Sequence, residues 1–180
     1  VEVLTMDVAG VSRFLGVLAL VAGAVALVLV VPWLRSRPAL RSWAGRDGTW
    51  LAAAIAFVAT TGSLYYSEVA GYVPCTLCWA QRAAMYPLAV LLPVLALTRA
   101  EPLRRGTRLL ALIGLGLSAW HVAVQRVPAL SDTVSCSASS PCTVAWVEIF
   151  GVLTIPTMAG LGFAAVLALT GPWAASPRDL

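Results

Sequence analysis

Charge is what this sequence lacks. Only 11% of its 180 residues are Asp, Glu, Lys or Arg, lysine is absent, and histidine occurs once. Globular domains carry about 25% charged residues and close to half apolar ones. A chain with 60% hydrophobic residues and a mean hydropathy of +0.88 cannot bury that much apolar surface in a soluble fold of this size. An ordinary soluble domain is excluded, and lipid is the solvent that fits. Once four or five spans are subtracted, no separate soluble catalytic domain has room. The twelve basic residues, all arginine, give a formal net charge of +4. They sit in short clusters and not in a stripe that could track a phosphate backbone, which argues against nucleic acid as a partner.

What is abundant is uninterrupted apolar sequence. An unpaired ion near the bilayer centre costs about 3 kcal/mol, so spans are read from charge to charge. Residues 14 to 34, 48 to 67, 83 to 98, 109 to 125 and 149 to 171 emerge. The first two are each about 30 Å long as helix. The third and fourth reach spanning length if they start near Cys78 and Thr107. Arg35, Arg37, Arg41 and Arg46 follow the first span, and Arg99, Arg104, Arg105 and Arg108 follow the third, together eight of the twelve arginines. The positive-inside rule makes both connections cytoplasmic. The amino terminus, the segment 68 to 78 and the loop 127 to 148 then face outward, carrying all four cysteines. The early acids Glu2 and Asp7 and a cytoplasmic tail with Arg178 agree with this layout. A signal peptide with cleavage near Ala22 or Ala24 is the alternative for the first span. Its 21-residue apolar run exceeds a usual signal core, and the arginines behind it read as a stop-transfer.

The cysteines form two close couples, Cys75 with Cys78 in Pro-Cys-Thr-Leu-Cys and Cys136 with Cys142 in Cys-Ser-Ala-Ser-Ser-Pro-Cys. Disulfides persist on the oxidising outer face of a membrane, yet a C-x-x-C ring closes too small a loop to stabilise much. Such a bond is better suited to being broken and remade. Trp79, where a c-type haem site needs histidine, excludes that cofactor. A four-cysteine zinc site and plain structural disulfides remain as rival readings. Pro74 suits a first helical turn, which puts Cys75 and Cys78 at a helix amino end, where the dipole favours thiolate. Arg82 falls on the same helix face at spacings of four and seven. It either stands beside a thiolate at the lipid boundary or merely snorkels outward. The first role needs an anion or an electron-rich ring nearby, and a quinone headgroup supplies one.

These residues make the chain similar to a known family. Gly62-Ser-Leu-Tyr-Tyr-Ser-Glu68, Val-Pro-Cys75-Thr-Leu-Cys78-Trp-Ala-Gln-Arg82 and Met85-Tyr-Pro87 closely resemble the disulfide bond formation protein B family, DsbB, and in particular its short BdbC-like branch. The resemblance extends through Trp120-His121, Gln125, the second cysteine pair and Ile155-Pro156, covering about residues 49 to 170. It implies an all-α fold: an integral membrane four-helix bundle over residues 49 to 171, preceded here by one extra N-terminal transmembrane helix and Arg-rich loop (1 to 48) and followed by a tail (172 to 180). It also implies an enzyme of the bacterial plasma membrane. Such an enzyme reoxidises a separate, extracytoplasmic thioredoxin-fold dithiol oxidase (DsbA-like) and passes electrons to a membrane quinone, menaquinone or ubiquinone. Cys136 and Cys142 become the shuttle disulfide that the partner attacks, and Cys75 exchanges with that pair. Cys78 becomes the thiolate that meets the quinone, and Arg82 and His121 become quinone-site residues, with no metal.

His121 on its own residue type would equally be an interhelical packing residue. Glu68 and Glu148 read as boundary charges outside the site, and Trp79, Trp120 and Trp146 as an interfacial aromatic belt. Pro156 is expected to kink the fifth span beside Thr154 and Thr157. Gly114, Ser118 and Gly160 are expected to permit close helix approach. The chain departs from proteobacterial members in its shorter second cysteine spacing, in Gln81 where many have an acid, and in the added first span. A vitamin K epoxide reductase-like enzyme is a closer rival whose motif order differs, since there the quinone-facing C-x-x-C follows the loop pair, whereas here it comes first. A non-enzymatic membrane scaffold or metal-binding protein with structural cysteines is the competing function.

Overall fold

Proline at the first turn marks where several helices begin, as its missing N–H is harmless there. The computed structural model describes residues 8–136 and 140–171. Its elements run α1 (Val8–Val30), α2 (Pro32–Arg35), α3 (Pro38–Arg46), α4 (Gly48–Leu64), α5 (Thr76–Thr98), α6 (Glu101–Arg126) and α7 (Ile155–Leu169). A π-turn, Tyr65–Val69, extends α4, and a hairpin of β1 (Glu148–Ile149) and β2 (Leu153–Thr154) precedes α7. Pro32, Pro38, Pro102 and Pro156 each occupy the first turn of their helix. The chain is an all-α membrane bundle. Four helices among the described residues are long and apolar enough to cross a bilayer: Val8–Val30, Gly48–Val69, Thr76–Thr98 and Glu101–Arg126.

The fifth expected span is shorter than its apolar run. Helix α7 has 15 residues, because Glu148 to Thr154 fold into the antiparallel hairpin, with Glu148 opposite Thr154 and Ile149 opposite Leu153. Phe150 (φ 54°) and Gly151 (φ 70°) make its turn in the left-handed region, which no helix can continue through. Pro156 therefore starts α7 and kinks nothing. The Thr154 hydroxyl bonds Gln125 Oε1 at 3.0 Å, so it satisfies a side chain and not a broken helix. Arg104, Arg105 and Arg108, expected in a connection, lie on the first two turns of α6, since Arg99 ends α5 with a left-handed cap (φ 52°).

Lipid gives no hydrophobic drive between spans, so close packing and small residues hold the bundle. Leu88, Leu92 and Leu95 of α5 meet Ala52 and Ala56 of α4 and Phe163 and Val166 of α7 in the main core. Gly114 shows how close the helices come: a Cβ there would lie 2.2 Å from Phe163 Cε1. At Gly160 a Cβ would lie 3.3 Å from Ser118 Cβ, as the small-residue pattern suggested. Helix α1 packs along α7, where a Cβ at Gly23 would lie 2.9 Å from Leu161 Cδ2.

The topology gives the bundle two unlike ends. One collects the Arg-rich connections after α1 and α5. The other collects the connections after α4 and α6 with all four cysteines. Glu2, Asp7 and the tail with Arg178 lie outside the described residues, as do residues 137 to 139 of the serine-rich loop.

Candidate functional site

Cys75 caps α5. Pro74, expected in the first turn, sits one residue before the cap, and Cys75 takes extended backbone angles (φ −77°, ψ 173°). Its sulfur accepts the Cys78 backbone N–H at 3.3 Å. A side chain in this position receives one of the donors that every helix start leaves unpaired. The Cys75 and Cys78 thiols lie 2.8 Å apart, while Cys136 and Cys142 are joined in a disulfide with Cα atoms 5.9 Å apart. The four sulfurs therefore do not form a tetrahedral zinc site.

One turn of helix points the first two cysteines to different neighbours. Cys75 packs with Leu77, Val124 and Cys142, all buried, with Cys78 and Cys136 at the edge of this cluster. Cys142 is 3% exposed, whereas Cys136 is only half-buried. Cys78 instead joins Arg82 on the wall of a mostly apolar cavity of about 340 Å³ between α1, α4, α5 and α7. That volume falls in the range of small-molecule sites. Tyr72 stacks between Tyr66 and Trp146, with centroids 5.8 and 5.2 Å away, and all three line the cavity at its cysteine end.

Arg82 turns inward and does not snorkel. It is 9% exposed, donates from Nε to Ser63 Oγ and from Nη2 to the Ser63 carbonyl, both at 2.9 Å, and lies 5.1 Å from the Trp79 ring centroid. All these partners are neutral, so the cation's charge is uncompensated by them and available to the cavity. Ser63 was part of the recognised motif but carried no assigned role; its hydroxyl and carbonyl fix the guanidinium.

His121, which the resemblance assigns to the quinone site, is carried by α6. It is 2% exposed and absent from the cavity lining, standing behind the cysteines on α6. Its Nε2 is 3.2 Å from the Cys142 carbonyl and 3.7 Å from Cys75 Sγ, and its Nδ1 is 3.4 Å from Gln81 Nε2. A carbonyl only accepts, so Nε2 carries the hydrogen, and Nδ1 accepts from the Gln81 amide. His121 thus presents an N–H to the region between Cys75 and Cys142. Cys75, Cys78 and His121 place their ligand-type atoms within 4.8 Å of one another, a set that suits sulfur chemistry as well as a cation.

Cys75, just outside the membrane-spanning helix, has its pKa lowered to about 4. The Cys78 thiol hydrogen bond is the largest cause. Burial opposes it, and His121 and the Cys78 amide add to the lowering. The loop bearing the disulfide is tied down beside this cap. Thr76 Oγ1 donates to the Ser135 carbonyl at 3.1 Å, Ser140 Oγ to Val73 O at 3.0 Å, and Gln125 Nε2 to Val144 O at 3.3 Å. Glu148, left outside the site, pairs with Arg126 at 3.9 Å.

Comparison with known proteins points to one family. A family described as disulfide bond formation protein DsbB matches residues 45–172. A probable disulfide formation protein of Oceanobacillus iheyensis is 43% identical over 115 residues, 63% of this chain and 79% of the relative. Disulfide bond formation protein C of Bacillus subtilis is 34% identical over 113 residues, 63% and 82% of the two chains. A probable disulfide formation protein of Deinococcus radiodurans is 39% identical over 134 residues, 67% and 84%. No solved structure matches.

Proposed function

Because the chain belongs to the DsbB family of membrane disulfide oxidoreductases, we propose that it reoxidises an extracytoplasmic, thioredoxin-fold dithiol protein and delivers the electrons to a membrane quinone. The observation that carries this reading is the division of labour within one C-x-x-C: Cys75 packs with the loop disulfide, whereas Cys78 and Arg82 line an apolar cavity. The cavity's residues fit a quinone, with a cation and a thiol at one end for a ring oxygen and apolar walls elsewhere. When bound, the quinone takes up two electrons and two protons. The arginine-rich end lies in the cytoplasm and the cysteine end outside, as the positive-inside rule requires.

Each sulfur has one task. A partner thiolate attacks Cys136, the more accessible member of the loop disulfide, and Cys142 leaves as thiolate. The partner's second thiol then attacks the mixed disulfide, so the partner departs oxidised and Cys136 is freed. The Cys142 thiolate attacks Cys75 of an oxidised Cys75–Cys78 pair, and Cys78 leaves as thiolate on the cavity side. Cys136 attacks Cys142, restoring the loop disulfide and releasing Cys75. The reduced pair, Cys75 as thiolate and Cys78 as its hydrogen-bond donor, gives two electrons to the acceptor, with two protons following, and closes again as a disulfide. Arg82 stabilises negative charge at Cys78 or on the acceptor oxygen. His121, through Nε2–H, stabilises charge at Cys75 while exchange with Cys142 takes place.

Anaerobic mixing of the purified protein with a reduced thioredoxin-fold partner and a quinone tests this. Quinone absorbance should fall in proportion to partner dithiol consumed, and Cys78→Ser should stop it in a folded protein. Turnover by Cys78→Ser would exclude Cys78 as the donor. Loss of fold or of bound metal, with no quinone reduction by the unchanged protein, would favour the scaffold reading.

A further inference from the structure

We propose that α1 is the tail-binding wall of the acceptor site: the aliphatic tail of the lipid whose ring meets Cys78 and Arg82 lies in the seam between α1 and α4. The proposal rests on the acceptor reading above and adds an element outside the family match, since α1 (Val8–Val30) precedes residue 45.

The cavity does not end where its polar groups end. Cys78, Gln81, Arg82 and Ser63 gather at the cysteine end, but the lining continues down α4 from Ser63 to Leu51. Twelve residues of helix is about 18 Å. Along α1 it runs from Leu15 to Val25, about 15 Å. A ring alone fills only the polar end. A compact hydrophilic acceptor matches only the polar end, whereas a long apolar chain joined to the ring matches both parts.

Helix α1 is built for this position. Leu18, Ala19, Ala22 and Val25 recur at helical spacing and face the groove, while Val17, Leu20 and Leu27 are exposed on other sides. Two small residues, Ala19 and Ala22, keep the seam open midway. The backbone of α1 leans on α7 and approaches α4 closely at the cysteine end, where a Cβ on Gly62 would lie 2.9 Å from Leu15 Cδ1. There the Tyr66 hydroxyl donates to Ser12 Oγ at 3.0 Å in a buried contact, fastening α1 to the π-turn. The seam is therefore pinned at its head, and the cavity lining continues from there along α1 as far as Val25.

Binding is measured by quenching of tryptophan fluorescence, Trp146 being on the cavity wall. The probes are a quinone bearing a long prenyl tail and the same ring without one. Ala19→Phe should raise the Kd of the tailed quinone at least tenfold and leave the tail-less ring within twofold. Leu20→Phe, on the exposed side, should leave both unchanged. Val25→Trp tests the far end independently of how well Ala19→Phe folds: it should weaken the long-tailed quinone and spare one with a single isoprene unit. Equal weakening of tailed and tail-less rings, or no weakening in either groove variant, overturns the assignment of α1. If the unchanged protein binds neither ring, the acceptor reading itself fails.

Discussion

Replacing Arg82 by methionine should move stability and activity in opposite directions. Arg82 is buried and bonds only neutral groups, the Ser63 hydroxyl and carbonyl, with the Trp79 ring nearby. Methionine has similar length, leaves no orphaned counter-charge, and removes a cation that is costly to bury. The Ser63 hydroxyl can turn to a carbonyl of its own helix. Stability should therefore hold or rise. The acceptor and the Cys78 thiolate, in contrast, lose a charged donor, and hydrogen bonds to charged groups are worth about 1.5–3 kcal/mol. At about 1.4 kcal/mol per factor of ten, kcat/KM for the quinone should fall roughly 10- to 150-fold. Arg82→Lys should lie between, because an ammonium cannot reproduce the Nε and Nη2 pair on Ser63. Steady-state quinone reduction with a thermal unfolding curve reads both quantities. A kcat/KM within threefold of the unchanged protein, or parallel losses of stability and activity, would refute the assignment of Arg82 to the acceptor.

In the reduced protein the Cys75 thiolate should persist as pH falls, its ultraviolet absorbance disappearing only near pH 4. The folded pKa is depressed, so the charged form and the stability it confers are fully present above the ordinary thiol range and are lost as pH drops through about 4. His121→Ala removes one of the lowering contributions and should move the midpoint upward; no movement would separate His121 from Cys75. Gly114→Val should destabilise the bundle by at least about 1–3 kcal/mol, because Phe163 is fully buried and lies where the new side chain must go. Phe163→Leu in the same protein should recover part of that loss in an unfolding assay. A dithiol partner lacking its second cysteine should be trapped on Cys136, and peptide mapping that found it on Cys142 would reverse the order of attack.

The amino-acid sequence carried the lipid environment, the segregation of arginine from cysteine, and the cysteine pairs as a redox pattern. Those follow from local composition and from motifs that are contiguous in the chain. Residues 148 to 154 were hidden because an apolar run reads alike as helix or strand until its turn geometry is known. The left-handed pair Phe150–Gly151 decides it. Gly114 looked like one of several small residues, and its weight comes from Phe163, a partner on another helix. Arg82 offered two directions at the lipid boundary, and Ser63 on α4 selects the inward one. His121 carried a role only through the family resemblance; its neighbours Gln81, Cys75 and Cys142, from α5 with its cap and from the disulfide loop, set it behind the sulfurs. The first span had no visible task until the cavity placed α1 along its wall.

A single turnover tests most directly whether sulfur at the lipid boundary empties its electrons into the apolar cavity. Protein reduced at all four cysteines is freed of reductant and mixed anaerobically with one equivalent of quinone, and quinol and remaining thiols are counted together. The account requires one quinol for every two thiols lost, with the first disulfide formed at Cys75–Cys78 and no quinol from Cys78→Ser. Quinol formed by that variant, or a first disulfide between Cys136 and Cys142, would contradict it.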